Sequence, residues 1–140
     1  MTSYKTLYDR VYSKIKDTTL ASMTEETADS ILSSYISPAV AAFERCSQDL
    51  SDRDDDRQTF NFDLTETNLE ILANFMVTEY LDSTYIRTSL MLRSYMSSTD
   101  FHKYDNKNLL ARAVEVRDMY RKENRRLMIN ASFRKADMRK

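Results

Sequence analysis

Glycine is absent from all 140 residues, where average usage of about 7% would supply roughly ten. Glycine lets a backbone reach positive φ or press close against a phosphate. Its absence excludes a Walker loop, a G-x-G-x-x-G dinucleotide fingerprint and a G-x-S-x-G nucleophile elbow. Tryptophan is also missing, and proline occurs once, at Pro38. Cys46 and His102 are each the only residue of their type. One cysteine permits no internal disulfide, and together they complete neither a common zinc site nor a His-based triad at a recognisable spacing. No stretch approaches the roughly 18 apolar residues of a membrane span, and the start MTSYKTLYDR lacks the apolar region of a signal peptide. These absences predict a soluble protein made in a cytoplasm, with no membrane contact, cofactor or metal. They also weigh against an enzyme, since nothing supplies an activated nucleophile or a preorganised anion hole.

What is present points to helices. A 16.5 kDa chain is one ordinary domain that buries a core unaided. Nine tyrosines, eight methionines and six phenylalanines suit a core, and tyrosine and methionine equally suit surfaces where proteins meet. Tyr4, Leu7, Tyr8, Val11 and Ile15 recur every three to four residues and predict an amphipathic helix over about 3-20. Thr24, with Glu25 and Glu26 after it, reads as the start of a second helix reaching about Tyr35. Ser37 followed by Pro38 reads as the cap and first position of a third, through Val40, Phe43 and Cys46 to about Asp49. Cys46 falls in an apolar pattern and reads as a buried thiol.

Residues 50-58, LSDRDDDRQ, form a charged loop, and Phe60, Phe62 and Leu64 alternate as a short extended piece over about 59-64 would. Thr65 then caps a helix with Glu70, Asn74, Thr78 and Asp82 four apart on one narrow stripe. Nearly everything else there is apolar, including Leu69, Leu72 and Met76, which predicts a helix at the centre of a bundle. The apolar residues of 85-97 fit either its continuation or a new helix after a break near Asp82 and Ser83. Asp105 caps a last helix whose seam, Leu109, Ala113, Val116, Tyr120 and Leu127, has nearly coiled-coil spacing. Asn124 takes the skipped seam position, either fixing register against a partner or facing water. The segment 128-140 has no periodicity and reads as an extended C-terminal arm. The expected architecture is thus all-α: a bundle of four to five helices over 1-127 with a basic arm over 128-140.

Charge is unevenly spread. Residues 1-101 hold 9 basic and 17 acidic side chains, net −8, and residues 102-140 hold 12 basic and 5 acidic, net +7. Such a split favours head-to-tail contact between copies, or a basic end toward nucleic acid and an acidic surface toward protein; two solvated faces are the plain alternative. Asp52, Asp54 and Asp56 follow the spacing of an EF-hand loop. Arg57 at the glycine position and Asp63 at the glutamate position depart from it, leaving Asp52, Asp54, Asp55 and Asp56 as an acidic docking turn. Arg117, Arg121, Lys122, Arg125 and Arg126, with Arg134 and Lys135 beyond them, offer a basic face either for phosphate backbone or for an acidic protein. Tyr120 and Phe133 are the sparse aromatics beside it, fewer than base stacking wants.

The stretches FNFDLTETNLEILANFMVTEYL and SSTDFHKYDNKNLLARAVEVRDMYRKENRRL resemble a set of small helical proteins of tailed bacteriophages and prophages of Gram-positive bacteria. The likeness extends over about residues 43-135. It rests on the F-x-x-x-L-T entry, the I-L-A-x-x-M-V run, a D-F after small polar residues and the basic last helix; Tyr80 stands where the family usually has tryptophan. The resemblance implies a virion protein at the neck, a head-tail connector or adaptor, assembled in the bacterial host cytoplasm. Its copies would form a homo-oligomeric ring beneath the portal protein, next to other neck or tail proteins, with non-specific contact to packaged DNA. A nucleic-acid-binding accessory protein and a small regulatory protein-binding module are the other readings.

Overall fold

The structure is a computed structural model that describes residues 1–15, 24–43, 46–86 and 107–138. It is mostly helical. In chain order the elements are α1 (Tyr4–Lys14), α2 (Glu25–Ser33), α3 (Ile36–Ala42), β1 (Arg53–Asp54), β2 (Thr59–Phe60), α4 (Glu66–Leu81) with a π-helical turn over Asp82–Ile86, and α5 (Lys107–Met138).

Three helix starts follow from side chains that occupy first-turn amides. Ser3, Thr24 and Thr65 accept hydrogen bonds from the backbone N–H of Lys5, Thr27 and Asn68. Helix α3 departs from the expected boundaries. It opens after Tyr35, without a side-chain cap, so Pro38 is its third residue instead of its first, and it stops at Ala42. First-turn N–H groups have no carbonyl four residues back, so proline there forfeits nothing.

The core is built from α1 to α4. Tyr4, Leu7, Tyr8 and Val11 from α1, Leu32, Ile36, Ala39 and Phe43 from the α2–α3 region, and Phe60 pack around α4, where Leu69, Ile71, Leu72, Ala73, Met76 and Val77 are all buried. The expected core residues Leu69, Leu72 and Met76 are 3%, 0% and 0% exposed. Tyr4 and Phe60 meet edge to face at 5.3 Å between centroids, one of the favoured aromatic geometries.

The charged loop contains structure that its composition hides. β1 and β2 pair antiparallel, Arg53 opposite Phe60 and Asp54 opposite Thr59. The chain start adds to β2: the Phe60 N–H donates to the Thr2 carbonyl at 2.8 Å and the Tyr4 N–H to the Gln58 carbonyl at 2.9 Å. In the turn between them Gln58 has φ 54°, the left-handed region that costs a residue with a Cβ about 1–2 kcal/mol. In a chain without glycine a side-chain-bearing residue takes that position. Of the expected alternating run 59-64, only Phe60 is fully buried, while Phe62 and Leu64 are half-buried.

α5 is a single helix of 32 residues, about 48 Å long at 1.5 Å per residue. It corrects two expectations. Helix continues to Met138 where an extended arm was expected beyond 127, because Lys, Arg, Ala and Met in the tail are good helix formers with neither glycine nor proline to end it. The expected seam turns inward at Ala113, Tyr120 and Leu127 but departs at Val116. Ala113 is buried and Val116 only half-buried, since the residue that turns inward after Ala113 is Arg117, drawn to Asp82. The expected core residue Leu109 lies outside the residues whose side chains are described, as do Arg134 and Lys135, and the stretch 87-106, with His102 and the continuation to 97, lies outside the described residues altogether.

Two stability measurements check this packing. Leu72→Ala or Met76→Ala should destabilise the chain by about 2–5 kcal/mol in urea unfolding, and a loss under about 0.5 kcal/mol would place those side chains outside the core. Gln58→Gly should stabilise it by about 0.5–1 kcal/mol, the relief of left-handed strain being partly offset by glycine's greater freedom when unfolded. A loss of stability in that variant would contradict the strain assignment.

Candidate interaction surfaces

The candidate basic residues divide into two groups. Arg117, drawn inward, donates from Nη1 to Asp82 Oδ1 at 2.8 Å, and Arg121 Nη2 reaches Asp82 Oδ2 at 3.4 Å. The Asp82 and Arg117 side chains are only 15% and 18% exposed. The hydrogen bond to Asp82 holds the Arg117 guanidinium above its ordinary pKa. Arg126 pairs within its own helix with Glu123, three residues back. Among the described residues Lys122 and Arg125 make no ion pair and are exposed. They stand near Met119 and Ile129, 56% and 48% exposed. Met119, Lys122, Arg126 and Ile129 recur at helical spacing on one stripe of α5, and Met119, Lys122 and Arg126 help line a surface depression of about 570 Å³.

The acidic turn is less available than its composition suggests. Asp54 Oδ1 accepts from the N–H groups of Asp56 and Arg57, and Asp52 Oδ1 from the Asn61 amide. Asp55 accepts from the Tyr4 hydroxyl and from Arg53. These bonds build the hairpin. The tyrosine bond keeps Asp55 below the usual carboxylate range. Asp56 accepts no hydrogen bond among the described residues and remains exposed.

A second ionic cluster ties α1 to α4 and α5. Arg10 donates to Glu66 at 2.7 Å and to Glu70 at 2.9 Å, and Lys14 also donates to Glu70. Burial works to raise the Glu70 pKa, but the hydrogen bonds from Lys14 and Arg10 outweigh it and the net direction is down. Lys14 Nζ also sits 5.8 Å above the centre of the Tyr120 ring, a cation–π distance. That stacking covers one of the two aromatics near the basic face.

Sequence reasoning named Asp82 without its partners and left Asn124 open between fixing register and facing water. Asn124 is 0% exposed and donates from Nδ2 to the Ile71 carbonyl of α4 at 3.2 Å. The signal was the stripe Glu70, Asn74, Thr78, Asp82: a polar row on an otherwise apolar helix needs either water or a polar neighbour, and that neighbour is α1 at Glu70 and α5 at Asp82. Cys46, expected to be buried, is half-buried at a cleft of about 470 Å³ that Val40, Phe43 and Leu50 also line. Burial raises its thiol pKa, which works against reactivity.

No family model, curated protein or solved structure matches the chain. Among the described residues no helix is long and apolar enough to cross a membrane.

The tyrosine and carboxylate contacts set a pH window. Asp55 and Glu70 bind protons less readily folded than unfolded. Their contribution is therefore present above their ordinary values of 3.8 and 4.5 and lost as pH falls below them. Burial, seconded by the hydrogen bonds to Asp55 and Asp29, raises the Tyr4 and Tyr12 hydroxyls, and burial pushes Tyr8 up to about 12. That contribution is present below 10.0 and lost as pH rises beyond it. Because the half-buried Cys46 thiol is raised from 9.0 as well, urea midpoints measured against pH should be flat between 4.5 and 9.0 and fall on both sides. Asp55→Asn should flatten the acid limb and Tyr12→Phe the alkaline one; unchanged limbs in both variants would contradict these assignments.

Proposed function

We propose that the chain is a structural subunit of a tailed phage particle, a head-tail connector or adaptor that assembles as a ring beneath the portal and around the DNA channel. The observation that carries this reading is the outer face of α5, where Lys122 and Arg125, without an ion pair among the described residues, stand with exposed Met119 and Ile129. A mixed basic and apolar face on a long helix is the composition of a protein contact. The likeness of residues 43-135 to small helical neck proteins supplies the setting. In a ring, each identical copy meets its neighbour through two different faces, and a basic helix beside an acidic body supplies faces of opposite charge. In this reading the basic end of α5 serves as a helical extension of the bundle toward the portal or a neighbouring copy.

The α5 stripe also suits a phosphate backbone. Base stacking is less well served, because Lys14 lies over the Tyr120 ring, and a protein partner therefore fits better.

Arg117 and Arg121 are engaged with Asp82, so the reversal that tests docking without disturbing the fold is Lys122→Glu with Arg125→Glu. The purified double variant should keep the urea midpoint of the wild type to within about 0.5 kcal/mol, as surface changes do. Cells making it should accumulate DNA-filled heads without tails, since like charges facing each other across a contact cost several kcal/mol. Normal tailed virions containing the double variant would contradict the assignment of this face.

A further inference from the structure

The surface of α4 under α5 is unlike the rest of the core. Asn74 and Thr78 are 1% and 5% exposed, and Asn124 of α5, bonded to the Ile71 carbonyl, is fully buried. The carboxamide oxygens of Asn74 and Asn124 have no hydrogen-bond partner among the described residues. Thr78 Oγ1 turns back to the Phe75 carbonyl of its own helix. The Asp82 carboxylate closes one end of this polar row on Arg117 and Arg121, and Glu70 marks the other, where Lys14 bridges toward Tyr120. Contact with Arg117 near the end of α4 and with Asn124 near its middle means that the two helices run antiparallel.

Among the described residues every buried member of the main cluster belongs to the stretch from Tyr4 to Val77, and α5 contributes the buried Ala113 together with Tyr120, Leu127 and Met128, each partly buried against that cluster. A contact that mixes these apolar groups with amides and a charge pair, and leaves two buried amide oxygens without a partner among the described residues, is more polar than the rest of the core and closer to a transient interface. Water and salt compete directly for such groups. An element held this way exchanges between copies at low cost, since an identical helix offers identical contacts.

We infer that the polar row Glu70, Asn74, Thr78, Asp82 is an exchangeable helix-docking groove, and that its second occupant is α5 of another copy of this chain. Charge complementarity fixes the pairing: the groove's Asp82 takes Arg117 and Arg121 from whichever α5 is seated. The inference stands apart from the connector reading, because it concerns the purified chain whatever its role.

Two full-length variants test it by complementation. Asp82→Arg sets a positive groove against its own Arg117 and Arg121, and Arg117→Asp with Arg121→Asp sets a negative helix against its own Asp82. Each variant alone should keep the helix signal of α1 to α4 and show at least tenfold faster amide exchange over residues 113-128. Mixed one to one, they should form a dimer by light scattering, and amide protection should return in the Arg117→Asp, Arg121→Asp chain. A mixture that stays monomeric, with α5 still unprotected, would overturn the inference. Wild-type protein provides a test that needs no variant. Equal amounts of isotopically heavy and light chain, treated with a carbodiimide, should yield Lys14–Glu123 cross-links that join heavy to light and increase with protein concentration. Cross-links only between segments of equal mass at every concentration would overturn it as well.

Discussion

Much of this structure depends on covering one polar edge of α4. Ten of its sixteen residues are buried, yet the edge carries Glu70, Asn74, Thr78 and Asp82, groups that are costly to bury without partners. α5 supplies Arg117 and Arg121 to Asp82 and Asn124 to the Ile71 carbonyl, while Arg10 and Lys14 of α1 take Glu70. The same requirement sets which face of α5 turns inward. It places Arg117 where simple hydrophobic spacing would put Val116, and it thereby leaves Lys122, Arg125, Met119 and Ile129 outside. The surface proposed to meet a neighbour is a consequence of the contact that holds α5 to the body.

The missing glycines impose a second constraint. Turns that glycine would ordinarily make are made by residues with side chains, and at Gln58 the strained backbone is held by what surrounds it. Its carbonyl accepts from Tyr4, and the preceding turn is built by Asp54 accepting two backbone N–H groups. Tyr4 then reaches Asp55. The start of α1, the hairpin and the entry to α4 are therefore one hydrogen-bonded unit, which explains why residues of an acidic turn are spent on local structure and few remain for a partner.

Much of the helical organisation was legible in residue order. The caps at Thr24 and Thr65 and the buried face with Leu69, Leu72 and Met76 follow from side-chain chemistry within one or two helical turns. The hairpin was not legible, because its stability comes from pairing with Thr2 and Tyr4, more than fifty positions away. The inward side of α5 was legible at Ala113, Tyr120 and Leu127 but not at Arg117, which lies next to Val116 and is drawn in by Asp82, thirty-five residues earlier in the chain. The length of α5 was underestimated for a different reason, since the tail lacks periodicity while keeping helical propensity. For the candidate site, the basic residues could be named from order alone. Which of them are engaged and which are free required the packing.

The central claim is that polar contacts, above all Asp82 with Arg117 and Arg121, decide how firmly α5 is held on α4. Amide hydrogen exchange of the wild-type chain, followed residue by residue across a salt titration, tests it most directly. The account predicts that amides of 113-128 open together, with less protection than those of 69-77, and that raising the salt lowers their protection while leaving the α4 core unchanged. Equal protection in the two helices, insensitive to salt, would contradict it.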